Sequence, residues 1–226
     1  MFLTNQKYLL FVKKLMKSML TPSIVTKKFQ ESLTPFEVLE ILRDGNQRFV
    51  NNETFERDFD EQRKNLRSAQ YPIAIILGCI DSRAPSELIF DLGLGDIFSV
   101  RIAGNILNND VLGSLEFACK IVGAKLIVVM GHTDCGAIKA ACNGVRMAHL
   151  TSIMEKIEPV IHSIQRRDDE SDEEFVGKVT HINTIRVKNE ILKRSNILRE
   201  MQENDAIGIV NAVYCVETGI VTFDSI

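Results

Sequence analysis

Three stretches of the chain read as strands: "PIAIILG" at 72–78, a continuous apolar run rich in isoleucine that suggests burial on both faces, the β-rich run "IFSVRI" at 97–102, and the apolar run in "KLIVVM" at 125–130. Helical periodicity separates them. Thr34-Pro35-Phe36-Glu37 reads as a helix start, with Thr34 as a hydroxyl cap, Pro35 preset for the first turn and Glu37 reaching back as in a capping box; this helix is expected to run to about Asn51. A polar segment, 52–71, leads to the first strand. A second helix start lies in "APSELIFDLG", stopped by Gly93 and Gly95, and Asp110 is placed to cap "VLGSLEFACKIVG", in which Val111, Leu115, Ala118 and Val122 share one face. Further helices are expected at about 145–165 and 175–204, and "AIGIVNAVYCVETGIVTF" closes as a strand and a hairpin turning at 217–219.

Strands and helices alternating at this spacing imply parallel pairing with right-handed crossovers. The fold expected is α/β, a central and mostly parallel β-sheet flanked by helices, with an N-terminal helical arm. No internal repeat or low-complexity linker is seen, so the domain reading is an N-terminal extension over 1–33 and a single domain over 34–226.

Composition narrows the class. The 226 residues are 45% hydrophobic with mean hydropathy near zero, which suits a globular protein. A formal net charge of −3 gives no reason to expect nucleic acid as a partner, because phosphate binding needs clustered Lys and Arg. The acidic run "RRDDESDEE" at 166–174 reads as a solvated loop. No stretch reaches the roughly 20 apolar residues of a membrane helix. Five scattered cysteines, 79, 119, 135, 142 and 215, are unlike a disulfide framework and favour a reducing compartment. The opening "MFLTNQKYLLFVKKLMKSML" is basic and mildly amphipathic, and reads as a cytoplasmic extension in preference to an export or organelle signal.

Two of the buried strands end alike: "IAIILG" delivers Cys79 and "LIVVMG" delivers His132. Ligands collect outside the carboxyl ends of parallel strands, so the two side chains are expected to meet although they are far apart in sequence. Cys135, just after His132, joins them. Two sulfurs and one imidazole suit zinc with an open fourth position. The same residues also fit a thiol nucleophile, Cys135, with His132 as its base, or a plain buried turn. "CIDSR" sets Asp81 and Arg83 beside the candidate metal. A carboxylate there would bind the metal itself unless the planar fork of Arg83 held it away, free to orient a water. Cys119, Cys142 and Cys215 read as small apolar residues, and His149, His162 and His181 as surface histidines without cysteine partners.

"CIDSRAPSE", "RIAGN" at 101–105 and "GHTDCGAIKAA" resemble the β-class carbonic anhydrases, in the same order and spacing from about Thr34 onward. The resemblance implies a zinc enzyme that interconverts carbon dioxide and bicarbonate by attack of zinc-bound hydroxide. Its ligands would be Cys79, His132 and Cys135, its dyad Asp81 and Arg83, and Gln70, Phe98, Ala103 and Phe117 would line the substrate pocket. It also implies a homodimer or homotetramer, with the N-terminal arm over the neighbouring subunit and the cleft at that interface. There are departures. Ile102 replaces the asparagine of the "RNAGN" block, and Phe117 stands where some plant-like members carry tyrosine. Ile76 occupies the position of a tryptophan found in a bicarbonate-inhibited subset, so the plant-like, constitutively open type is expected. The alternatives are a hydrolase using Cys135 as nucleophile, or a related zinc hydrolase acting on carbon disulfide or carbonyl sulfide.

Overall fold

In a computed structural model, the structure describes residues 24–224. The chain runs as α1 (Lys27–Ser32), α2 (Pro35–Val50), α3 (Phe59–Asn65), β1 (Ala74–Gly78), α4 (Ser86–Ile89), β2 (Ile97–Arg101), α5 (Asn109–Glu116), β3 (Leu126–His132), α6 (Gly136–Cys142), α7 (Leu150–Ser163), α8 (Asp172–Arg194), α9 (Asn196–Glu203), β4 (Gly208–Tyr214) and β5 (Val221–Phe223). The sheet order is β2-β1-β3-β4-β5, parallel throughout except for β4 with β5. This is the mostly parallel α/β sheet that the alternating pattern predicts.

The continuous apolar runs divide between two faces because successive side chains on a strand point in opposite directions. Ala74 and Ile76 of β1, Leu126 and Val128 of β3 and Val210 of β4 pack with Leu39 and Leu42 of α2 on one side. Ile75, Leu77, Ile127, Val129 and Ile209 pack with Leu115 of α5, Ile191 of α8 and Leu198 of α9 on the other. A third cluster gathers α6, α7 and α8 around Cys79 and Cys135, at the carboxyl end of the strands.

The capping box at Thr34 forms as expected, with Glu37 accepting from the Thr34 amide. Elsewhere the structure corrects local readings. Asn108, not Asp110, caps α5 by accepting from the Val111 amide, and the helix widens into a π-helical turn over Phe117–Val122 before Gly123 stops it at φ +98°. Val122 is only half-buried. The second helix start gives a single turn, Ser86–Ile89, which ends before Asp91 at φ +46°. The polar segment 52–71 contains α3, capped by Asp58. The expected helix over 175–204 is two helices, broken at Ser195, whose hydroxyl caps α9 and donates to Glu116. Glu170 of the acidic run is buried and paired with Lys178. Cys215 lies just past β4, not in it.

Of the expected extension over 1–33, α1 rests on its own chain: Val25 and Leu33 are in the core, and Gln30 donates to the Pro72 and Val122 carbonyls. The basic stretch read as a cytoplasmic extension lies outside the described residues. Among the described residues no helix is long and apolar enough to cross a membrane.

One buried charge cluster ties the amino-terminal helices to the sheet. The Asp91 carboxylate, 1% exposed, pairs with Arg48 of α2 and with Arg57 ahead of α3, each at 2.5 Å, and Arg48 also covers the Phe55 ring. Removing one partner of such a set strands charge in a poorly solvated place. Asp91→Ala is expected to lower the unfolding free energy by about 3–5 kcal/mol, measured by urea denaturation. A change below about 1 kcal/mol would mean that the two arginines find water or other partners.

Candidate metal centre

β1 and β3 lie side by side in parallel register, Leu77 opposite Val129, so their carboxyl ends open on the same side of the sheet. Cys79 follows β1 directly and His132 is the last residue of β3. Cys135 stands at the mouth of α6, beyond a tight turn in which Asp134 takes φ +58°. The donor atoms of Cys79, His132 and Cys135 all lie within 4.8 Å of one another, and all three residues are buried. The structure thus brings together the three residues expected as ligands.

The two glycines ahead of these ligands have different roles. A Cβ on Gly131 would meet the Thr180 and Thr184 methyl groups of α8 at 2.8 and 3.0 Å, so close packing of the helix excludes a side chain there. A Cβ on Gly78 would have only ordinary contact, 4.0 Å from the Met130 terminal carbon.

The imidazole is prepared for a metal. His132 Nδ1 lies 2.8 Å from the Thr133 carbonyl, which can only accept, so in the neutral ring Nδ1 carries the proton and Nε2 presents a lone pair. That Nε2 is buried without a hydrogen-bond partner among the described residues. An orphaned buried acceptor is costly, and a cation between it and two sulfurs removes the cost. The sulfurs of Cys79 and Cys135 are 3.9 Å apart. The Cys135 thiol bonded to it, with help from His132, outweighs burial and pulls Cys79 down to about 4. The bond to Cys79, burial and the Cys79 charge push Cys135 far up. Without a cation the pair therefore shares one proton. Cys135 is 1% exposed, whereas a thiol nucleophile needs access to its substrate.

Asp81 stands over the trio, its Oδ2 3.8 Å from His132 Nε2. Arg83 grips it bidentately: Nε donates to Oδ1 at 2.9 Å and Nη2 to Oδ2 at 2.8 Å, while the Arg83 amide also donates to Oδ1. That grip holds the Asp81 carboxyl well below the usual range, so it stays ionised at neutral pH. Arg83 is itself held, with Nη1 3.2 Å from Asp134 Oδ2 and Nη2 3.3 Å from the Asp134 carbonyl; Lys139 of α6 closes on the same carboxylate. Asp134 is exposed and steadies the turn, as its place between the ligands suggests.

Sequence reasoning did not single out Arg101. It is the last residue of β2, opposite Gly78, and its guanidinium donates to the Cys79 and Asp81 carbonyls, clamping the loop that carries both. The available signal was its place at a strand end in the "RIAGN" block. Of the expected pocket residues, Ala103 opens the turn Ala103–Asn105, which packs against β1 and β3, the strands that lead to Cys79 and His132. Gln70 is exposed and precedes β1, at the opposite end of the sheet from Cys79. Phe98 and Phe117 line a separate hollow of about 400 Å³ on the β2 edge, with Ser99, Val100, Gly113 and Ser114. Phe117 is 54% exposed there, in a place where a core aromatic would be covered. Of the remaining histidines, His181 pairs with Asp224 at 3.1 Å, away from the trio.

A family model described as carbonic anhydrase matches residues 74–221. Carbonic anhydrase 2 of Mycobacterium tuberculosis is 34% identical over 192 residues, covering 82% of this chain and 90% of that protein. Among solved structures, a β-carbonic anhydrase of Aspergillus fumigatus superposes with a TM-score of 0.65 at 25% identity, over 74% of this chain and 81% of its own. A tetrameric β-carbonic anhydrase of Sordaria macrospora gives 0.65 at 21%, over 74% and 87%.

The shared proton sets a pH dependence for metal uptake. Binding to both sulfurs must displace the proton that Cys79 and Cys135 share, so affinity should rise with pH through neutrality, by about tenfold per unit for each proton released. Calorimetric titration of metal-stripped protein with zinc, in buffers of different ionisation enthalpy, should report at least one proton released and about one ion bound per chain. Uptake independent of pH would contradict the protonation drawn here, and Cys79→Ser should abolish tight binding.

Proposed function

Because this chain belongs to the carbonic anhydrase family, it catalyses the reversible hydration of carbon dioxide to bicarbonate, and we propose that zinc held by Cys79, His132 and Cys135 supports the reaction. The observation that carries the proposal is a buried set of two sulfurs and one imidazole nitrogen beside a carboxylate that is turned aside by its own arginine. Zinc bound to such a set supplies a Lewis acid that makes water nucleophilic near neutral pH, an effect whose standard example is itself a carbonic anhydrase, one with three histidine ligands.

The chain's own groups do the rest. Thr133 fixes the His132 tautomer, and Arg101 fixes the loop that carries Cys79 and Asp81. Asp81, ionised and pinned through both oxygens, is the acceptor over the site, so it orients the attacking water by taking one hydrogen bond from it. Were Arg83 absent, the same carboxylate could swing the short remaining distance toward the ligands and occupy the fourth position. Two thiolates give more negative charge than two imidazoles, so activity is expected to rise with pH through or above neutrality.

The substrate pocket has the second copy as its other half. Gln70, Phe98 and Phe117 stand apart from Cys79 of their own chain, since Gln70 precedes β1 at its far end, and Phe98 of β2 and Phe117 of the π-helical turn after α5 line a separate hollow. In a dimer joined along the β2 edge they would line the neighbour's cleft beside its Ala103, offering an amide and apolar walls to a small, weakly polar substrate. A tetrameric relative is consistent with such assembly. The plant-like, open subtype is the reading that the buried Ile76, which has no indole, and the Asp81–Arg83 pair support. A cytoplasmic setting accords with five free cysteines, of which Cys119 is pushed up to about 12 by burial and is inert.

Stopped-flow hydration of carbon dioxide tests the reading directly. Zinc-loaded protein should be active and chelated protein should not, and Arg83→Ala should lose about 10- to 100-fold in kcat/KM while keeping its metal. Zinc-loaded protein that shows only the uncatalysed rate would overturn the proposal. Sedimentation should show a dimer or a multiple of it, and Phe117→Lys should shift the mass toward the monomer.

A further inference from the structure

Asn183, Arg186, Glu190 and Arg194 fall on one face of α8 at helical spacing, and Lys156 of α7 stands against that face. With Leu107, ahead of α5, they line a cavity of about 120 Å³. Pockets for drug-sized molecules begin at about 300 Å³, so this one has room for a small ion only. Its walls are basic: Lys156, Arg186 and Arg194 stand with a single carboxylate, Glu190, which leaves two positive charges in excess. None of the three cations has a carboxylate partner among the described residues. Lys156 Nζ and Arg186 Nη1 donate to the Ser152 and Lys156 carbonyls at 3.3 and 2.8 Å, and Arg194 Nη2 to Asn109 Oδ1 at 2.7 Å. Each cation keeps further N–H groups beyond these.

Asn183 supplies a different signal. It is buried, and its amide can be oriented without ambiguity: the Gly104 carbonyl only accepts, so the atom 3.0 Å from it is Nδ2. Oδ1 is then left without a donor among the described residues. Asn183 is a wall of the cavity and Gly104 is not, so the unsatisfied end of the amide is the end turned to it. A buried acceptor of this kind is unfavourable unless something donates to it. A ligand for the cavity therefore needs negative charge for its walls and one hydrogen for Asn183.

We propose that this cavity binds hydrogen phosphate, the dianion of inorganic phosphate that still carries one proton. Its two charges match the excess on the walls, and the guanidinium forks of Arg186 and Arg194 suit its oxygens. Its one O–H donates to Asn183 Oδ1, which a fully deprotonated anion would leave unpaired and would repel. None of the lining residues is a metal ligand or a member of the Asp81–Arg83 pair, so the site is separate from the metal centre.

Calorimetric titration of the zinc-loaded full chain with inorganic phosphate, and separately with sulfate, at slightly alkaline pH tests the assignment. Sulfate has the same shape and charge but no proton. Phosphate should bind once per chain, and sulfate about 10- to 100-fold more weakly. Asn183→Leu, which removes the acceptor, should bring phosphate down to the level of sulfate. Lys156→Gln, a change at a half-buried position, should weaken both anions by about 10-fold or more. If Asn183→Leu does not fold, the sulfate comparison and Lys156→Gln decide the matter. Equal affinities for the two anions in the parent protein would overturn the proposal, as would the absence of binding at millimolar phosphate. Phosphate binding that Lys156→Gln leaves unchanged would overturn it too, because the ion would then sit elsewhere.

Discussion

Parallel pairing of β1 with β3 is the constraint on which the rest depends. Residues 79 and 132 are adjacent only because two strands run the same way, in a register that ends both on one side of the sheet. An antiparallel pair would send them to opposite ends. The pairing is secured by burial on both faces: Ile76 and Val128 meet α2, Leu77 and Val129 meet the helices opposite, and none of the four is measurably exposed. Burying each such side chain stabilises the fold by about 1.5–3 kcal/mol. The core and the site are in this sense one construction, because the apolar runs that hold the sheet also deliver the ligands.

Around that frame, polar groups serve to set direction. Thr133 settles which nitrogen of His132 is bare, Arg101 fixes two carbonyls of the Cys79 loop, and Arg83 takes both oxygens of Asp81. Arg83 is in turn anchored by Asp134, a residue in a left-handed turn between two ligands. An exposed ion pair ordinarily contributes little to stability. In the proposed function its value lies in geometry, because it would decide whether a carboxylate orients water or blocks the site.

Much of this was legible in the chain. The strand runs, the capping box at Thr34 and the repeated "apolar run, Gly, ligand" arrangement depend on local periodicity and on a topological rule, so they survive folding unchanged. Asp81 with Arg83 was legible because a bidentate grip needs only two neighbouring residues. What was missed is of two kinds. Asn108 displaces Asp110 as a cap through a contact only three residues long, a choice of helix start that periodicity leaves open. Ser195, which breaks a helix whose periodicity runs on and donates to Glu116, and Arg101, which acts on carbonyls 20 and 22 residues away, depend on contacts distant in sequence. Gln70, Phe98 and Phe117 stand apart from the trio, as they would if the cleft assigned to them were completed by a second copy, as proposed above.

The central claim is that two sulfurs and one imidazole hold zinc while Asp81 stays outside the coordination shell. Diffraction at the zinc absorption edge, on crystals of the metal-loaded protein, measures this most directly. The account predicts one anomalous peak per chain, with Cys79 and Cys135 sulfurs at about 2.3 Å, His132 Nε2 at about 2.0–2.1 Å and a fourth, non-protein ligand. A zinc bound to the Asp81 carboxylate while Arg83 points elsewhere, or a peak away from these three residues, would contradict it.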